Sequence, residues 1–504
     1  MIVHVDGNIN KYYVQTLCMV FFPGASFGEH EEPRSDVPEV TVSTYIDKEG
    51  IETAYASIRL NDKETEAIVS VSDDEPLTIA TRSAIAAGRA LFAAGKAMLG
   101  YVPPWGILTG VRPAKVAAGL LRTTGGIIKS KRVLRDEFFL SPQKAALAVS
   151  VAQNEMKLTK KIPKNSCSLY ISIPFCPSRC TYCSFVSYTT PRLLSMIDEY
   201  VEALISDLDE TFSVIKELGL DLVTVYIGGG TPTTLSTRQL ERVLSLVYQN
   251  TDREKLTEFT LEAGRPDTIT KEKLEVARKY GVTRISVNPQ TLDDNVLKEI
   301  GRKHTAEDFF RAFALAKESG IRDINVDLIA GLPGVDFKKF AHTLDKIIEL
   351  DPSNITVHTF CVKKASDMLK NDTGVYSLSG GDAAKSVSYS QLRAKFSGYK
   401  PYYMYRQKNT VGNLENVGFS KEGHEGMYNI YMMEEMQSIF AVGAGSVTKL
   451  VDLDRENEAN TRIERIFRPK YPYEYLREHK ERPEARKTLR ERIIKFYEKK
   501  AGNV

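Results

Sequence analysis

The chain of 504 residues sets 68 Lys and Arg against 65 Asp and Glu, a net charge of +3, and 42% of it is apolar. Such a length accommodates two to four domains, each able to bury a core, and the near balance of charge excludes the basic footprint of a nucleic-acid-binding protein. No apolar run approaches the ~20 residues of a membrane-crossing helix, and six Cys, three clustered and three scattered, argue for a reducing, cytoplasmic setting rather than a disulfide framework.

In chain order, Ile2-Val3-His4-Val5-Asp6-Gly7 reads as a strand and turn, with a helix from about Asn10. The apolar stretch 14–22 follows that strand without a basic flank, so it reads as core and not as a signal sequence. Residues 40–46 and 53–60 alternate as two strands about a turn at Lys48-Glu49-Gly50, and the Ala-rich stretch 79–99 has helical spacing. Pro103-Pro104-Trp105 opens a punctuated stretch that runs to Arg112-Pro113 and holds the only Trp; helices follow to about Lys161. Residues 1–165 are therefore expected to form an N-terminal α+β module with a helical linker, in which Trp105 and Arg112 pack rather than touch a ligand.

From Ser168 the pattern changes to alternating strands and helices. Strands are expected at 169–173, 222–227, 259–263, 284–288, 324–329 and 354–358, with helices between them. Six such units predict parallel strands in an α/β fold, a partial (β/α)6 barrel over residues 166–370, with working groups at the C-terminal ends of the strands. Beyond about 370 the alternation is lost. A Gly/Ser linker at 377–382 precedes a helix at 383–396, a Tyr-rich strand with Tyr402-Tyr403-Met404-Tyr405, a glycine turn at Gly443-Ala444-Gly445 and a charged helical tail from Arg462. Residues 371–504 are expected to be a C-terminal α+β cover domain with a basic helical tail.

The chemistry concentrates in Cys176-Pro177-Ser178-Arg179-Cys180-Thr181-Tyr182-Cys183. Three thiols in one tight loop can fold around one face of an iron–sulfur cubane, whose full ligand set is four. A missing fourth ligand leaves one iron open, as catalytic metals keep a position open. Cys180 and Cys183 alone also fit a redox pair or half a zinc site. A structural zinc takes four closed ligands, however, and no second C-x-x-C exists.

The Cys loop resembles the signature of the radical S-adenosylmethionine (SAM) superfamily. Together with YISIPFC, YIGGGTPT, LEAGRPDT, RISVNPQ, GRKH and INVDLIAGLPG, the stretch from Leu169 to Ser446 resembles the oxygen-independent coproporphyrinogen III oxidase family, also called coproporphyrinogen dehydrogenase. The upstream module and the stretches at 406–409 and 415–418 look closest to its HemZ-type branch. The resemblance implies a [4Fe–4S] cluster on Cys176, Cys180 and Cys183, with SAM on the open iron. It places SAM contacts at Tyr170 and Tyr182 beside the cluster, at the backbone of Gly229, Gly230 and Thr231, and at the polar groups of Glu262, Gln290, Arg302 and Asp327. Arg302 would clamp a carboxylate bidentately.

The same resemblance implies cleavage of SAM to a 5′-deoxyadenosyl radical and oxidative decarboxylation of two propionates of coproporphyrinogen III to vinyl groups, giving protoporphyrinogen IX. An electron donor such as flavodoxin or ferredoxin would be the partner. Lys363, Lys364, Arg406 and Lys408 are candidate propionate cations, Arg406 foremost, beside a tyrosine wall at 402–405. Two departures bear on activity. Phe185 stands where the best-known oxidases carry a further Cys, a pattern shared with the family's haem-chaperone relatives. Yet the run 412–419 lacks the His, Tyr and Trp of the chaperones' His-Asn-x-x-Tyr-Trp stretch. A haem-binding chaperone, or another radical SAM tetrapyrrole enzyme such as an anaerobic haem-opening methyltransferase, is the alternative function.

Overall fold

The structure is a computed structural model, and it describes residues 1–28, 35–73, 75, 80–160, 162–183, 188–361, 380–407, 410–454 and 460–501. Strand β1 (Ile2–Asp6) lies parallel to β2 (Glu39–Ile46), which continues antiparallel into β3 (Glu52–Leu60) and β4 (Lys63–Val71). The third strand of this meander escaped the sequence pattern because its outer face is charged, with Lys63, Glu64 and Glu66 toward solvent. Asn61 and Asp62 make the reversal, both at positive φ (50° and 59°), the two-residue turn that suits strand twist. Helix Arg82–Leu99, capped by the Thr81 side chain, lays small Ala86, Ala90 and Ala94 against the sheet and so approaches it closely.

A second sheet of 11 strands positions everything else. Its centre is six parallel strands in chain order: β5 (Ser166–Ile173), β6 (Asp221–Gly229), β7 (Glu258–Glu262), β8 (Arg284–Ser286), β9 (Asp323–Ala330) and β10 (Asn354–Thr359). The expected six units are all present. Amphipathic helices Ile197–Glu217, Thr237–Gln249, Lys271–Lys279, Ala306–Glu318 and Phe337–Glu349 make the crossovers and bury the strands, which is what a parallel sheet requires. Ser236 and Thr305 start two of these helices with reciprocal capping boxes, the Ser/Thr oxygen and the side chain three residues on each accepting a backbone N–H.

The chain after 380 does not build a separate sheet over the core. Strands β11 (Lys400–Arg406) and β12 (Glu415–Ser420) add antiparallel beyond β10, with β12 against β10. Strand β13 (Ser438–Val442) crosses to the other end and pairs parallel with β5, followed antiparallel by β14 (Val447–Asp452) and β15 (Arg462–Phe467). Strands β5 to β15 thus form one open mixed sheet, ordered β11-β12-β10-β9-β8-β7-β6-β5-β13-β14-β15, in an α/β fold. Arg462 begins a strand and not the expected helical tail. The two helices that follow, Pro472–Glu481 and Pro483–Ala501, are packed rather than solvated: Tyr475, Leu476, Ile493 and Phe496 are buried. Among the described residues no helix is long and apolar enough to cross a membrane.

The linker after the N-terminal module is fastened to the far end of this sheet by one carboxylate. Glu415, fully buried at the start of β12, accepts from Lys144 Nζ at 2.5 Å, Trp105 Nε1 at 2.9 Å and Gln391 Nε2 at 2.6 Å. Burial works to raise its pKa, and the ammonium of Lys144 with the hydrogen bonds from Lys144 and Trp105 holds it below the usual range. A folded-state pKa below the unfolded one means that this contribution is complete above about pH 4.3 and is lost as the pH falls through the folded value. Removing the cation leaves a buried charge unpaired, which costs about 3–5 kcal/mol. Lys144→Met is therefore expected to lower the thermal midpoint at pH 7 markedly. Lys144→Met combined with Glu415→Gln should recover part of the loss, and an unchanged midpoint in the single variant would refute the role.

Candidate functional site

The Cys loop leaves the end of β5 and is held by hydrogen bonds from several loops. Cys176 N donates to Tyr188 O at 3.2 Å, and Cys176 Sγ meets Thr231 Oγ1 at 3.3 Å. On the next strand's loop, Gly230 N donates to Ile173 O at 2.8 Å and Thr231 N to Phe175 O at 2.7 Å. A Cβ on Gly230 would stand 2.6 Å from Phe175 O, so only glycine permits this approach, and Gly229 takes φ +108°. On the opposite side, Ser178 Oγ donates to Gly301 O at 2.9 Å and Thr181 N to Ile300 O at 3.1 Å. The glycines expected to meet a ligand therefore also serve to dock the Cys loop.

Every cluster and SAM position expected from the sequence faces one cavity of about 820 Å³: Cys176, Cys180 and Cys183 with Tyr170, Tyr182, Gly229, Gly230 and Thr231 at one side, and Glu262, Gln290, Arg302 and Asp327 at the strand ends. Gln290 takes a positive φ (68°), and its buried Oε1 has no hydrogen-bond partner, an acceptor left for something in the cavity. Arg302 is differently employed than expected. Its Nε and Nη2 donate to Tyr182 Oη at 3.3 and 2.9 Å, and its Nη1 to Gly264 O and Asn288 O at 2.8 and 3.1 Å. The guanidinium fixes Tyr182 beside the Cys loop, and no free pair of N–H groups remains for a bidentate clamp.

The two strand-end carboxylates are driven apart. Asp327 accepts from Asn288 Nδ2 and Asn325 Nδ2, each at 2.7 Å, with His358 Nε2 at 3.8 Å. Burial would raise its pKa; the hydrogen bonds and charge of His358, with Asn325 and Thr356, bring it below the usual range. Glu262 is pushed up to about 8, by burial first and then by the charge of Asp327, against smaller opposing contributions from Gly229 N–H, Tyr226 and Arg302. At neutral pH the site therefore presents an ionised acceptor and a protonated carboxyl that can donate.

The rest of the wall comes from the C-terminal strands. Alternation on β11 turns Tyr403 and Tyr405 into the cavity, stacked at 6.4 Å and 13°. Gly418 on β12 leaves the room for the Tyr403 ring, which a Cβ would meet at 1.9 Å. Tyr170, Tyr226 and Tyr428 form a second stack, the closest pair 4.7 Å apart. At the rim, Lys449 and Arg465 are directly paired across β14 and β15. Arg465 and Arg112 reach Glu435 at 2.9 Å each and Lys449 at 3.6 Å, so three cations share that carboxylate.

Arg406, expected to anchor a propionate, lies outside this cavity. Its side chain is turned toward the linker, where Nη1 donates to Leu108 O, Nη2 lies 3.5 Å from Asn413 O, and the guanidinium covers the Trp105 ring at 5.3 Å. Burial pushes its pKa down to about 10. Charge and composition suggested a substrate cation; the alternation of β11, which sends Tyr403 and Tyr405 inward, sends Arg406 into the interface. Lys363, Lys364, Lys408 and Phe185 lie outside the described residues. Asn288, Tyr226, Tyr428, His358, Lys449 and Arg465 were not singled out in the sequence. Tyr226 and Asn288 sat inside quoted motifs, but the others carry no local signal.

The residues present fit the implied cofactors. The donor set of three thiols suits iron–sulfur ligation, and burial pushes the Cys176 thiol up to about 11, so metal binding must displace its proton. Among the described residues no three His, Cys, Asp or Glu side chains converge as a single-ion site would; a cubane instead spreads its thiolates over separate irons. The orphaned Gln290 oxygen and the glycine backbone beside the Cys loop suit a polar ligand. Cys176, Cys180 and Cys183 would hold the cluster, and the polar strand ends would hold SAM.

Comparison with known proteins agrees. The Radical SAM superfamily matches residues 170–347. The oxygen-independent coproporphyrinogen-III oxidase-like protein HemZ of Bacillus subtilis is 36% identical over 384 residues, 75% of each chain. The heme chaperone HemW of the same organism is 38% identical over 200 residues, which cover 39% of this chain and 51% of that protein. The fold is similar to that of the coproporphyrinogen III oxidase HemN of Escherichia coli, with a TM-score of 0.50 at 21% identity over 66% of this chain and 72% of that one. The chain belongs to the coproporphyrinogen oxidase-like family of radical SAM proteins, whose cofactors are a [4Fe–4S] cluster and SAM.

Proposed function

We propose that the protein is a radical SAM oxidoreductase that converts propionates of coproporphyrinogen III to vinyl groups, giving protoporphyrinogen IX. The observation that carries this reading is the shared cavity: the Cys loop and polar strand ends open into the same 820 Å³ as a tyrosine wall and a cationic rim. Flat stacked rings suit pyrroles. Lys449 and Arg465, which line the cavity, offer cations to carboxylates.

When bound, the cluster and SAM supply a hydrogen-abstracting radical. Each of the two reacting propionates loses a β-hydrogen atom, CO2 and one electron, the electron passing to an external one-electron acceptor, to become vinyl. The chain's own work is to bind, orient and exclude water. Asp327 accepts and protonated Glu262 donates at the strand ends, the tyrosines hold the ring, and the rim holds carboxylates that do not react. An external donor such as flavodoxin or ferredoxin belongs to this reading.

A haem-binding chaperone is the second reading. It is favoured by the match to HemW and by His358, Met432 and Met433, side chains of the kinds that ligate haem iron, on the same cavity. Reduced, cluster-loaded protein incubated without oxygen with SAM and coproporphyrinogen III separates the two. Vinyl product supports decarboxylation, whereas tight haem binding without turnover supports the chaperone.

The wild-type protein is expected to hold about four irons per chain. Cys176→Ala, Cys180→Ala and Cys183→Ala should each lose the cluster, and Cys167→Ala and Cys361→Ala should keep it. A full cluster in Cys180→Ala, by iron and sulfide analysis, would end the ligand assignment. Asp327→Ala is expected to lose both 5′-deoxyadenosine and vinyl product. Arg406→Ala should lower the thermal midpoint while keeping the wild-type ratio of the two products; a selective loss of vinyl product would return Arg406 to the substrate.

A further inference from the structure

After β7 the chain runs Ala263-Gly264-Arg265-Pro266-Asp267. Pro266 opens a single tight turn, Pro266–Thr268, in which Thr268 N and Thr268 Oγ1 both donate to Arg265 O, at 3.0 and 2.8 Å. This turn brings the Asp267 carboxylate back onto its neighbour's guanidinium. Arg265 Nε donates to Asp267 Oδ1 at 3.0 Å and Nη2 to Oδ2 at 3.1 Å, a bidentate pair. One edge of the guanidinium is thereby fixed, and the remaining amino group is aimed at the Cys loop. Nη1 lies 3.6 Å from Cys180 Sγ and 3.4 Å from Ser178 O.

The environment makes this contact electrostatically effective. The Arg265 side chain is 3% exposed, whereas that of Asp267 is 21% exposed. Water screens the carboxylate more than the guanidinium, and the carboxylate is on the far side from the sulfur. Cys180 therefore sees the positive end of the pair. Adding an electron to an iron–sulfur cluster increases its negative charge, and N–H···S bonds and local charge are established determinants of its potential.

We propose that Arg265, oriented by Asp267, donates to the cluster ligand Cys180 and raises the reduction potential of the cluster. Arg265 is a positioning and tuning residue, since it acts through the ligand sulfur. The proposal rests on the assignment of the cluster to the Cys loop. It separates from a merely structural ion pair because the two partners then have unlike effects. Loss of Arg265 removes the donor and the cation, while loss of the Asp267 charge removes only the counter-ion.

The test is a potentiometric titration of the reconstituted cluster without SAM, followed by electron paramagnetic resonance, with iron and sulfide content measured on the same samples. Arg265→Met is expected to make the reduced-to-oxidised ratio about tenfold lower at a given potential, a fall of about 59 mV for a one-electron couple. Asp267→Asn should stay at or above the wild-type midpoint, and Arg265→Lys should fall between wild type and Arg265→Met. Should Arg265→Met assemble no cluster, Arg265→Lys and Asp267→Asn decide: midpoints ordered Lys below wild type and Asn at or above it support the tuning role. A fully loaded Arg265→Met at the wild-type midpoint, or both single-site changes shifting in the same direction, overturns it. A wild-type protein that takes up no cluster overturns the ligand assignment and the proposal together.

Discussion

The close approach of two backbones at Gly230 is the constraint on which the site depends. Strand β5 delivers the Cys loop and β6 delivers the glycine motif, and the two are held together by hydrogen bonds from Gly230 and Thr231 to Ile173 and Phe175. No side chain can occupy position 230 without pushing Phe175 away. With the Gly301 loop closing the other side, three thiols are gathered on one wall.

Electrostatics then divide the cavity. Near the Cys loop the cations are locked: Arg302 on Tyr182 and backbone carbonyls, Arg265 on Asp267 and the loop. At the strand ends, Asp327 is surrounded by donors while Glu262 faces Asp327's charge, so two similar carboxylates hold different protonation states at one pH. Farther out, at the rim, three cations share Glu435. The guanidinium groups beside the Cys loop are held by the chain itself, whereas the buried Gln290 Oε1 near them has no partner.

The C-terminal strands complete the wall of the cavity. They join the parallel core at both edges, and neither forms a lid on a flexible tether. β11 and β12 carry Tyr403, Tyr405 and the buried Glu415, so the same two strands line the cavity on one face and grip the N-terminal linker on the other. A disturbance of the linker is therefore close to the cavity wall even though none of Lys144, Trp105 or Glu415 faces the cavity.

Local pattern was enough for much of this. The three-thiol spacing, the six alternating strand–helix units and the polar residues closing each strand were legible because period, caps and turn glycines are properties of a few neighbouring residues. The expected SAM positions meet on one cavity for the same reason, since parallel strands place their C-terminal ends together. Charged strands such as β4 and β15 were not legible, because their identity comes from pairing with a neighbour and not from their own apolarity. Nor could composition tell that Arg406 turns toward Trp105, or that Arg265 reaches Cys180, 85 positions away in the chain. The sequence by itself determined which chemistry the Cys loop supports and that the strands run parallel. Only the tertiary structure decided which cations face the cavity and which are consumed in packing, because a side chain's partner depends on the face its strand presents once every neighbour is in place.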